Sequence, residues 1–219
     1  MESIDLITIE REFGAGGSEL AAALGARLGW RVADRDIVDA VAERLGVDEE
    51  AVAARDEHAP GLLERIGTTI LRTSPEIISV APDRALPDPE VVAQAAQTVL
   101  HGEAERPPVI LVGHGAPILF RGRPGTLHVR LVAPLGSRVA RICPRVGCGG
   151  KEAAALAHRV DADRAAYVRR YFHADWRDPL LFHVQLNTGL VTIPEATALI
   201  AELVEARGAA TARDETLRG

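Results

Sequence analysis

The sequence predicts an α/β protein built on a parallel sheet of about five strands. Short apolar runs, typical of strands buried on both faces, alternate along the chain with amphipathic stretches of helical period. This alternation favours strands that are joined by helices covering both faces of the sheet. In such a sheet, ligands bind beyond the carboxyl ends of the strands. The pattern therefore predicts a fold and also the edge of the sheet where function resides.

Five apolar runs are predicted as strands, because each is short and bounded by turn residues. They lie at residues 4–10, 30–33, 109–112, 126–132 and 182–187. The third run follows Pro107-Pro108 and is apolar throughout, as expected for a strand with no solvent-facing side. The fourth run alternates between apolar and polar residues and continues into a turn at Pro134.

The predicted helices have apolar residues at helical spacing and recognisable ends. In chain order they lie at residues 19–28, 37–45, 48–55, 61–71, 89–101, 135–142, 151–157, 160–171 and 193–206. Gly29 stops the first helix, Asp48 is the N-cap of the third, and Pro89 begins the fifth. Residues 56–106 therefore fit a helical insertion rather than sheet, with a proline-rich loop at 74–89.

Length and composition predict one domain at residues 1–207 and a polar, flexible tail at 208–219. The net charge of −6 gives no general electrostatic reason to bind nucleic acid. No secretion signal and no run of 18 apolar residues is present, so the prediction is a cytoplasmic protein with no membrane partner. The sequence leaves open whether the chain forms a homodimer.

A glycine-rich segment, R-E-F-G-A-G-G-S at residues 11–18, joins the first strand to the first helix. Such a turn directs several backbone N–H groups and the positive end of a helix toward one point, which suits a phosphate. Compared with the phosphate-loop pattern G-x-x-x-x-G-K-[ST], Gly16 and Ser18 match. Arg11 stands at the first glycine position and Gly17 at the lysine position. The only lysine of the chain, Lys151, lies in no such motif.

Seven segments together resemble the cytidylate kinase-like family of P-loop nucleoside monophosphate kinases. In order they are I-T-I-E-R-E-F-G-A-G-G at 7–17, V-A-D-R-D-I at 32–37, I-L-V-G-H-G-A at 110–116, L-H-V-R-L-V-A-P at 127–134, R-V-D-A-D-R-A-A-Y at 159–167, Y-F-H-A-D-W-R-D-P at 171–179 and L-N-T-G at 186–189. The resemblance implies a three-layer P-loop NTPase fold, a helical acceptor-binding insertion at about 40–105 and a helical lid at about 143–178.

The resemblance also implies transfer of the ATP γ-phosphoryl group to a nucleoside monophosphate such as CMP or dCMP, with Mg²⁺ as cofactor. Compared with true cytidylate kinases, the chain has Gly17 in place of the loop lysine. It also has His114-Gly115 where those enzymes carry an Arg-Asp pair after the third strand. A non-catalytic protein that binds or senses a nucleotide is therefore the alternative, as is a kinase of another small metabolite.

The residues predicted to bind the phosphates of ATP share the turn and the start of the first helix. They are Phe13, Gly14, Ala15, Gly16, Gly17, Ser18 and Glu19. The Ser18 hydroxyl is also a candidate ligand of Mg²⁺, as in other P-loop enzymes. Arg11 is hypothesised to supply part of the missing positive charge, and a salt bridge of Arg11 with Glu10 or Glu12 is the alternative.

The acceptor is predicted to bind at the ends of the second and third strands, where the candidates are Asp34, Arg35, Asp36 and His114. Asp36 fits equally well as the N-cap of the following helix. An isolated histidine such as His114 is also compatible with a purely hydrogen-bonding role.

Four arginines in the second half of the chain are predicted to clamp phosphate groups during catalysis, because guanidinium groups bind phosphate in a bidentate manner. They are Arg138, Arg141, Arg159 and Arg164. Ordinary salt bridges on a helix surface, Arg159 with Asp163 and Arg164 with Asp161, explain two of them equally well.

Overall fold

A computed structural model of the chain describes residues 3–34, 36–44 and 89–216. Its strands are β1 (Leu6–Arg11), β2 (Arg31–Ala33), β3 (Val109–Val112), β4 (Thr126–Val132) and β5 (Val184–Asn187). Its helices are α1 (Gly17–Leu28), α2 (Asp36–Arg44), α3 (Pro89–Ala104), α4 (Ala116–Leu119), α5 (Leu135–Val146), α6 (Gly150–Phe172) and α7 (Ile193–Thr216), with a 3₁₀ turn at Pro179–Leu181. The predicted helices at 48–55 and 61–71, and the loop at 74–88, lie outside the described residues.

The five strands form one sheet in the order β2-β3-β1-β4-β5, and every neighbouring pair is parallel. In the centre, Ile7 of β1 is level with Ile110 of β3 on one side and Leu127 of β4 on the other. Because all strands run in the same direction, their carboxyl ends lie along one edge of the sheet. The predicted parallel five-stranded sheet is confirmed.

Helices cover both faces of the sheet and produce three layers. On one face, Leu24 of α1 and Ile200 of α7 pack in a cluster with Ile7 of β1. On the other face, helices α2, α3 and α4 pack in a second cluster with Leu6 of β1 and Leu111 of β3. These apolar contacts place the sheet at the centre of a three-layer α/β fold.

Five helices are longer than predicted, although α1 and α3 differ from their predicted bounds by only two and three residues. The two helices predicted at 151–157 and 160–171 form the single helix α6, because the polar pair His158-Arg159 is exposed and is no helix breaker. Helix α5 ends at Val146 rather than at residue 142, because the left-handed Gly147 caps it with an N–H bond to the Cys143 carbonyl. Helix α7 continues to Thr216, so residues 208–216 extend a helix that was predicted to end at 206. No helix among the described residues is long and apolar enough to cross a bilayer.

Buried polar side chains line the face of β1 and β4 that is turned away from α1 and α7. The Thr8 hydroxyl lies 2.7 Å from Nδ1 of His128 on the neighbouring strand. Arg130, two residues further along β4, donates from Nη1 to the carbonyl of Trp176 at 2.9 Å. Its guanidinium also lies 5.0 Å from the centre of the Trp176 ring. Arg130 therefore anchors the chain that follows α6 against the sheet.

A first prediction concerns the close contact of α1 with β2. A Cβ atom at Gly25 would lie 2.5 Å from Cγ2 of Val32, so Gly25→Ala is expected to destabilise the protein by about 1–3 kcal/mol. Gly102→Ala in α3 is the matched control, since a Cβ there meets nothing within 4 Å. The control is expected to be neutral or to stabilise by about 0.5–1 kcal/mol. Urea unfolding of both variants measures the difference, and equal midpoints would contradict the close packing.

A second prediction concerns acid stability. Burial, and next the neighbouring His183, lower the pKa of His128 to about 4 from 6.5. The neutral form is thus favoured by folding, so this group leaves stability constant above pH 6.5 and reduces it as the pH falls from 6.5 toward 4. His128→Gln is expected to be less stable at pH 7 but to lose less stability between pH 6.5 and 4.5. Unfolding midpoints measured across that range test this, and identical slopes for both proteins would refute it.

Candidate functional site

The turn between β1 and α1 depends on two glycines in the left-handed region. Gly14 has φ 81° and Gly16, the N-cap of α1, has φ 87°. Neither position has room for a side chain, because a Cβ at Gly14 would lie 2.9 Å from Ile142 and one at Gly16 would lie 2.8 Å from Ile193. The backbone itself, rather than side chains, therefore forms the surface of this turn.

Side chains from distant parts of the chain hold the carbonyl groups of this turn. Arg164 donates to the Arg11 carbonyl at 2.8 Å, Arg138 to that of Phe13 at 3.4 Å, Arg141 to that of Gly14 at 3.3 Å, and the Thr188 hydroxyl to that of Ala15 at 2.8 Å. Arg141 in turn donates to the Thr188 carbonyl at 2.6 Å, which links the end of β5 to the turn. Each of these four carbonyl groups is thus fixed in direction.

The N–H groups of the turn divide into two sets. That of Phe13 donates to Asp161 at 2.8 Å and that of Ala15 to the Glu12 carbonyl at 3.0 Å. Within the described part of the chain, no partner accepts from the N–H groups of Gly14, Gly16, Gly17 and Ser18. A trans peptide points its N–H opposite to its carbonyl, so the N–H groups that follow the fixed Phe13 and Ala15 carbonyls are turned away from Arg138 and Thr188. With the N–H groups of Gly17 and Ser18 they form a set of donors at a helix N-terminus, a position that favours anions.

A buried ion pair supports the turn from below. The Asp161 carboxylate accepts from the Phe13 N–H with one oxygen and lies 2.5 Å from Nη1 of Arg138 with the other. Both side chains are more than nine-tenths buried. Glu12 adds a second carboxylate, 3.7 Å from Nε of Arg138, and also accepts from the Ala133 N–H at 3.0 Å. Asp161, Glu12 and Thr188 are positioning residues that sequence reasoning did not assign to the site.

The structure brings three of the four predicted arginines to the turn. Arg138, Arg141 and Arg164 all bind its carbonyl groups, and Arg164 also lies 5.9 Å from the Phe13 ring. Arg159 is exposed on α6. Asp161 has Arg138 of α5 as a partner, a contact that the predicted pairing along α6 did not anticipate. The predicted phosphate contacts of these arginines stay a prediction.

Arg11 connects the turn to the ends of β2 and β3. Its Nη2 lies 3.8 Å from the Asp34 carboxylate, just beyond β2, and its Nη1 lies 4.0 Å from Glu10. His114, just beyond β3, adopts φ 55°. Burial and then the positive charge of Arg11 lower the pKa of His114 to about 4, although Asp34 acts in the opposite direction. His114 is therefore neutral near pH 7 and can donate one hydrogen bond and accept another without adding charge.

Two predicted acceptor residues, Asp34 and His114, thus lie beside Arg11 at the ends of neighbouring strands. Asp36 is the first residue of α2, and its side chain lies outside the described part of the structure, as does Arg35. Ser18 and Glu19 are exposed on the first turn of α1, where the Ser18 hydroxyl is accessible. No cluster of three or more histidine, cysteine or acidic side chains is found in the described ranges.

Comparison with known proteins places this geometry in context. A family model described as the cytidylate kinase-like family matches residues 6–190. A cytidylate kinase of Aeropyrum pernix is 27% identical over 168 residues, which cover 71% of this chain and 95% of that protein.

Two solved structures share the fold. An uncharacterized protein from Eubacterium ventriosum superposes with a TM-score of 0.66 at 18% identity, over 92% of this chain and 99% of that one. A shikimate kinase from Bacteroides thetaiotaomicron superposes with a TM-score of 0.53 at 18% identity, over 93% and 99% of the two chains. The matched segment, residues 6–190, contains the glycine-rich turn, all five strands and the arginines that hold the turn. The chain belongs to the cytidylate kinase-like family.

Proposed function

We propose that the protein is an ATP-dependent phosphotransferase that acts on a nucleoside monophosphate, CMP or dCMP being the first candidates. The observation that carries the proposal is the set of four backbone N–H groups without partners among the described residues, at the junction of β1 and α1. Such donors bind the β-phosphate of a nucleoside triphosphate in P-loop enzymes. The family and the sequence likeness to a cytidylate kinase support a nucleotide as the acceptor.

The reaction requires one bond exchange. An oxygen of the acceptor phosphate forms a new bond to the γ-phosphorus of ATP, and the bond from that phosphorus to the bridging oxygen breaks. The electron pair of the broken bond stays with that oxygen, so ADP leaves as an anion. An acceptor phosphate is already ionised at neutral pH, which means that no general base is needed. The protein contributes position and positive charge, which are the main sources of catalysis in phosphoryl transfer.

Different residues would bind the ATP phosphates, Mg²⁺ and the acceptor, according to their positions in the fold. The N–H groups of Gly14, Gly16, Gly17 and Ser18 would hold the β-phosphate, and the Ser18 hydroxyl would contribute to binding Mg²⁺. When bound, the ion neutralises charge on the transferring phosphates. The acceptor would bind near Asp34 and His114, at the ends of β2 and β3. Because His114 is neutral at pH 7, it adds no positive charge for the acceptor phosphate, and the cations whose charge acts on it are Arg11 and Arg164.

A third prediction tests the activity itself. Purified protein, incubated with ATP, Mg²⁺ and a panel of monophosphates, is expected to release ADP with CMP or dCMP and less with AMP, GMP and UMP. Phosphorylated products are identified by chromatography, which separates transfer from simple ATP hydrolysis. Shikimate belongs in the panel as a hydroxyl acceptor, because a shikimate kinase shares the fold.

Two other outcomes would replace the proposal. Turnover with a hydroxyl acceptor but with no nucleotide would indicate a kinase of another small metabolite. Tight binding of ATP without transfer to any acceptor would indicate a non-catalytic nucleotide-binding protein. Failure to bind ATP at all would contradict both the phosphotransferase and the sensor.

A fourth prediction concerns the support beneath the turn. Asp161→Asn removes the charge that faces buried Arg138, and breaking such a pair costs about 3–5 kcal/mol. Because the asparagine amide has one acceptor oxygen, it cannot accept from both the Phe13 N–H and Nη1 of Arg138, so the turn loosens and the KM for ATP is expected to rise about 10-fold or more. Glu202→Gln, at an exposed carboxylate of α7, is the matched control and should leave both quantities unchanged. A variant with normal stability and an unchanged KM for ATP would show that Asp161 does not position the turn.

A further inference from the structure

The side chain of Arg11 explains why residue 17 is glycine. A Cβ atom on Gly17 would lie 2.6 Å from Cγ, 3.0 Å from Cδ and 3.2 Å from Cβ of Arg11. Gly17 is not among the glycines with positive φ, so its backbone would accept any ordinary residue. The obstacle is therefore the stem of Arg11, which lies across the first residue of α1. A lysine at position 17 has no room to leave the backbone while Arg11 is present.

The guanidinium group of Arg11 continues from Gly17 to the end of β3. A Cβ atom on Gly113, whose φ is 79°, would lie 2.0 Å from its Nη1, so the end of the side chain packs directly against the Gly113 backbone. The path thus begins at the end of β1, crosses the start of α1 and ends between β3 and Asp34. This is the edge of the sheet where the phosphate-binding turn and the predicted acceptor residues meet.

Nearby carboxylates do not hold the Arg11 charge firmly. The distances to Asp34 and Glu10, 3.8 and 4.0 Å, are longer than hydrogen bonds. Within the described ranges, the guanidinium group donates no hydrogen bond, although only 14% of the side chain is exposed. A largely buried cation with unassigned donors is available for an anionic ligand.

We propose that Arg11 replaces the lysine of the phosphate loop and that its guanidinium group contacts the γ-phosphoryl group during transfer. The proposal rests on the proposed function, since it assigns the charge that the phosphotransferase needs. The usual loop has glycine at its first position and lysine at its seventh, where this chain has Arg11 and Gly17. The cation and the glycine have exchanged positions across the same turn. The charge enters from the strand rather than from the helix, and as a planar group able to bind two oxygens at once.

The steric half of the proposal is tested without any nucleotide. Gly17→Ala is expected to lower the unfolding midpoint of the wild type, because the new Cβ meets the Arg11 stem. In the Arg11→Gly background, the same substitution is expected to be neutral or stabilising, since the obstacle is gone. Gly136→Ala, in the first turn of α5, is the matched control, because a Cβ there meets nothing within 4 Å. Equal effects of Gly17→Ala in both backgrounds would overturn the steric argument.

The charge half is tested by titration with Mg·ATP and with inorganic tripolyphosphate. Arg11→Gln keeps the first three carbons of the side chain and removes the charge, and it is expected to weaken binding of both probes by about 10- to 100-fold. Arg27→Ala removes an arginine at the far end of α1, where its side chain is 44% exposed, and should bind as the wild type does. A folded Arg11→Gln protein with unchanged affinity and unchanged kcat would overturn the proposal.

An exchange of the two residues is the most demanding test. Gly17→Lys alone is expected to lower both stability and affinity, because the lysine stem and the Arg11 stem claim the same space. Arg11→Gly with Gly17→Lys recreates the ordinary loop pattern and is expected to recover affinity to within about 10-fold of the wild type. A double variant that is folded yet binds no better than Arg11→Gln would overturn the exchange of roles.

The same measurements separate this proposal from the proposed function. If the wild type binds tripolyphosphate in an Arg11-dependent manner but transfers phosphate to no acceptor, the role of Arg11 in binding is supported and the phosphotransferase is refuted. If transfer to CMP occurs equally well with Arg11→Gln, the phosphotransferase is supported and the role of Arg11 is refuted. If the wild type binds neither probe, both are refuted.

Discussion

The structure depends on the way the carbonyl groups of the glycine-rich turn are held. The N–H and carbonyl groups of a buried turn need hydrogen-bond partners. A group that already has a partner within the protein is unavailable to a ligand. Here arginines and a threonine from α5, α6 and the end of β5 take the carbonyl edge. Because peptide groups are planar, fixing a carbonyl also fixes the direction of the next N–H group. The direction of the N–H groups at the site is therefore set by side chains that bind the carbonyl groups of the turn. Through these contacts the side chains do not reach the ligand.

The buried ion pair beside the turn contributes more to geometry than to stability. The side chains of Asp161 and Arg138 are both buried, and buried ion pairs rarely stabilise a protein more than an apolar pair would. The contribution of this ion pair is geometric, since one carboxylate aligns both an N–H of the turn and the guanidinium that binds the turn's carbonyl. The same logic applies to Thr188, which joins β5 to the turn. Elements far apart in sequence thus determine where the backbone donors of α1 are located.

The sequence alone predicted the parts of this fold that depend on local pattern. The five strands lie where apolar runs indicated them, and Gly29 ends α1 in the left-handed conformation expected of a stop. The extent of α6 and α7 was wrong because polar residues interrupt a hydrophobic pattern without interrupting a helix. The glycine-rich turn was recognised, but its support was not. Asp161 is 148 residues from Phe13, and no local rule connects two positions at that separation.

The arginines illustrate the same limit at the level of function. The four arginines were predicted to bind phosphate, because a guanidinium group can contact two phosphate oxygens at once. A backbone carbonyl, however, also accepts hydrogen bonds from the same donors. Only the three-dimensional arrangement separates Arg141, which holds the turn, from Arg11, whose donors are not used by the described residues. The charge of an arginine is visible in the sequence, whereas its available donors are a property of the fold.

The relation between Arg11 and Gly17 also limits which loops this fold can carry. With a cation at both positions, the two stems overlap, because even a methyl group at residue 17 would lie 2.6 Å from the Arg11 side chain. With glycine at both positions, the turn keeps its N–H groups but lacks the charge that phosphoryl transfer requires. Changing one arrangement into the other takes two substitutions. The intermediate with only one of them has a loop that is either crowded or uncharged. The loop of this chain and the lysine loop are then two separate solutions to one constraint, a single cation across a turn that has room for only one.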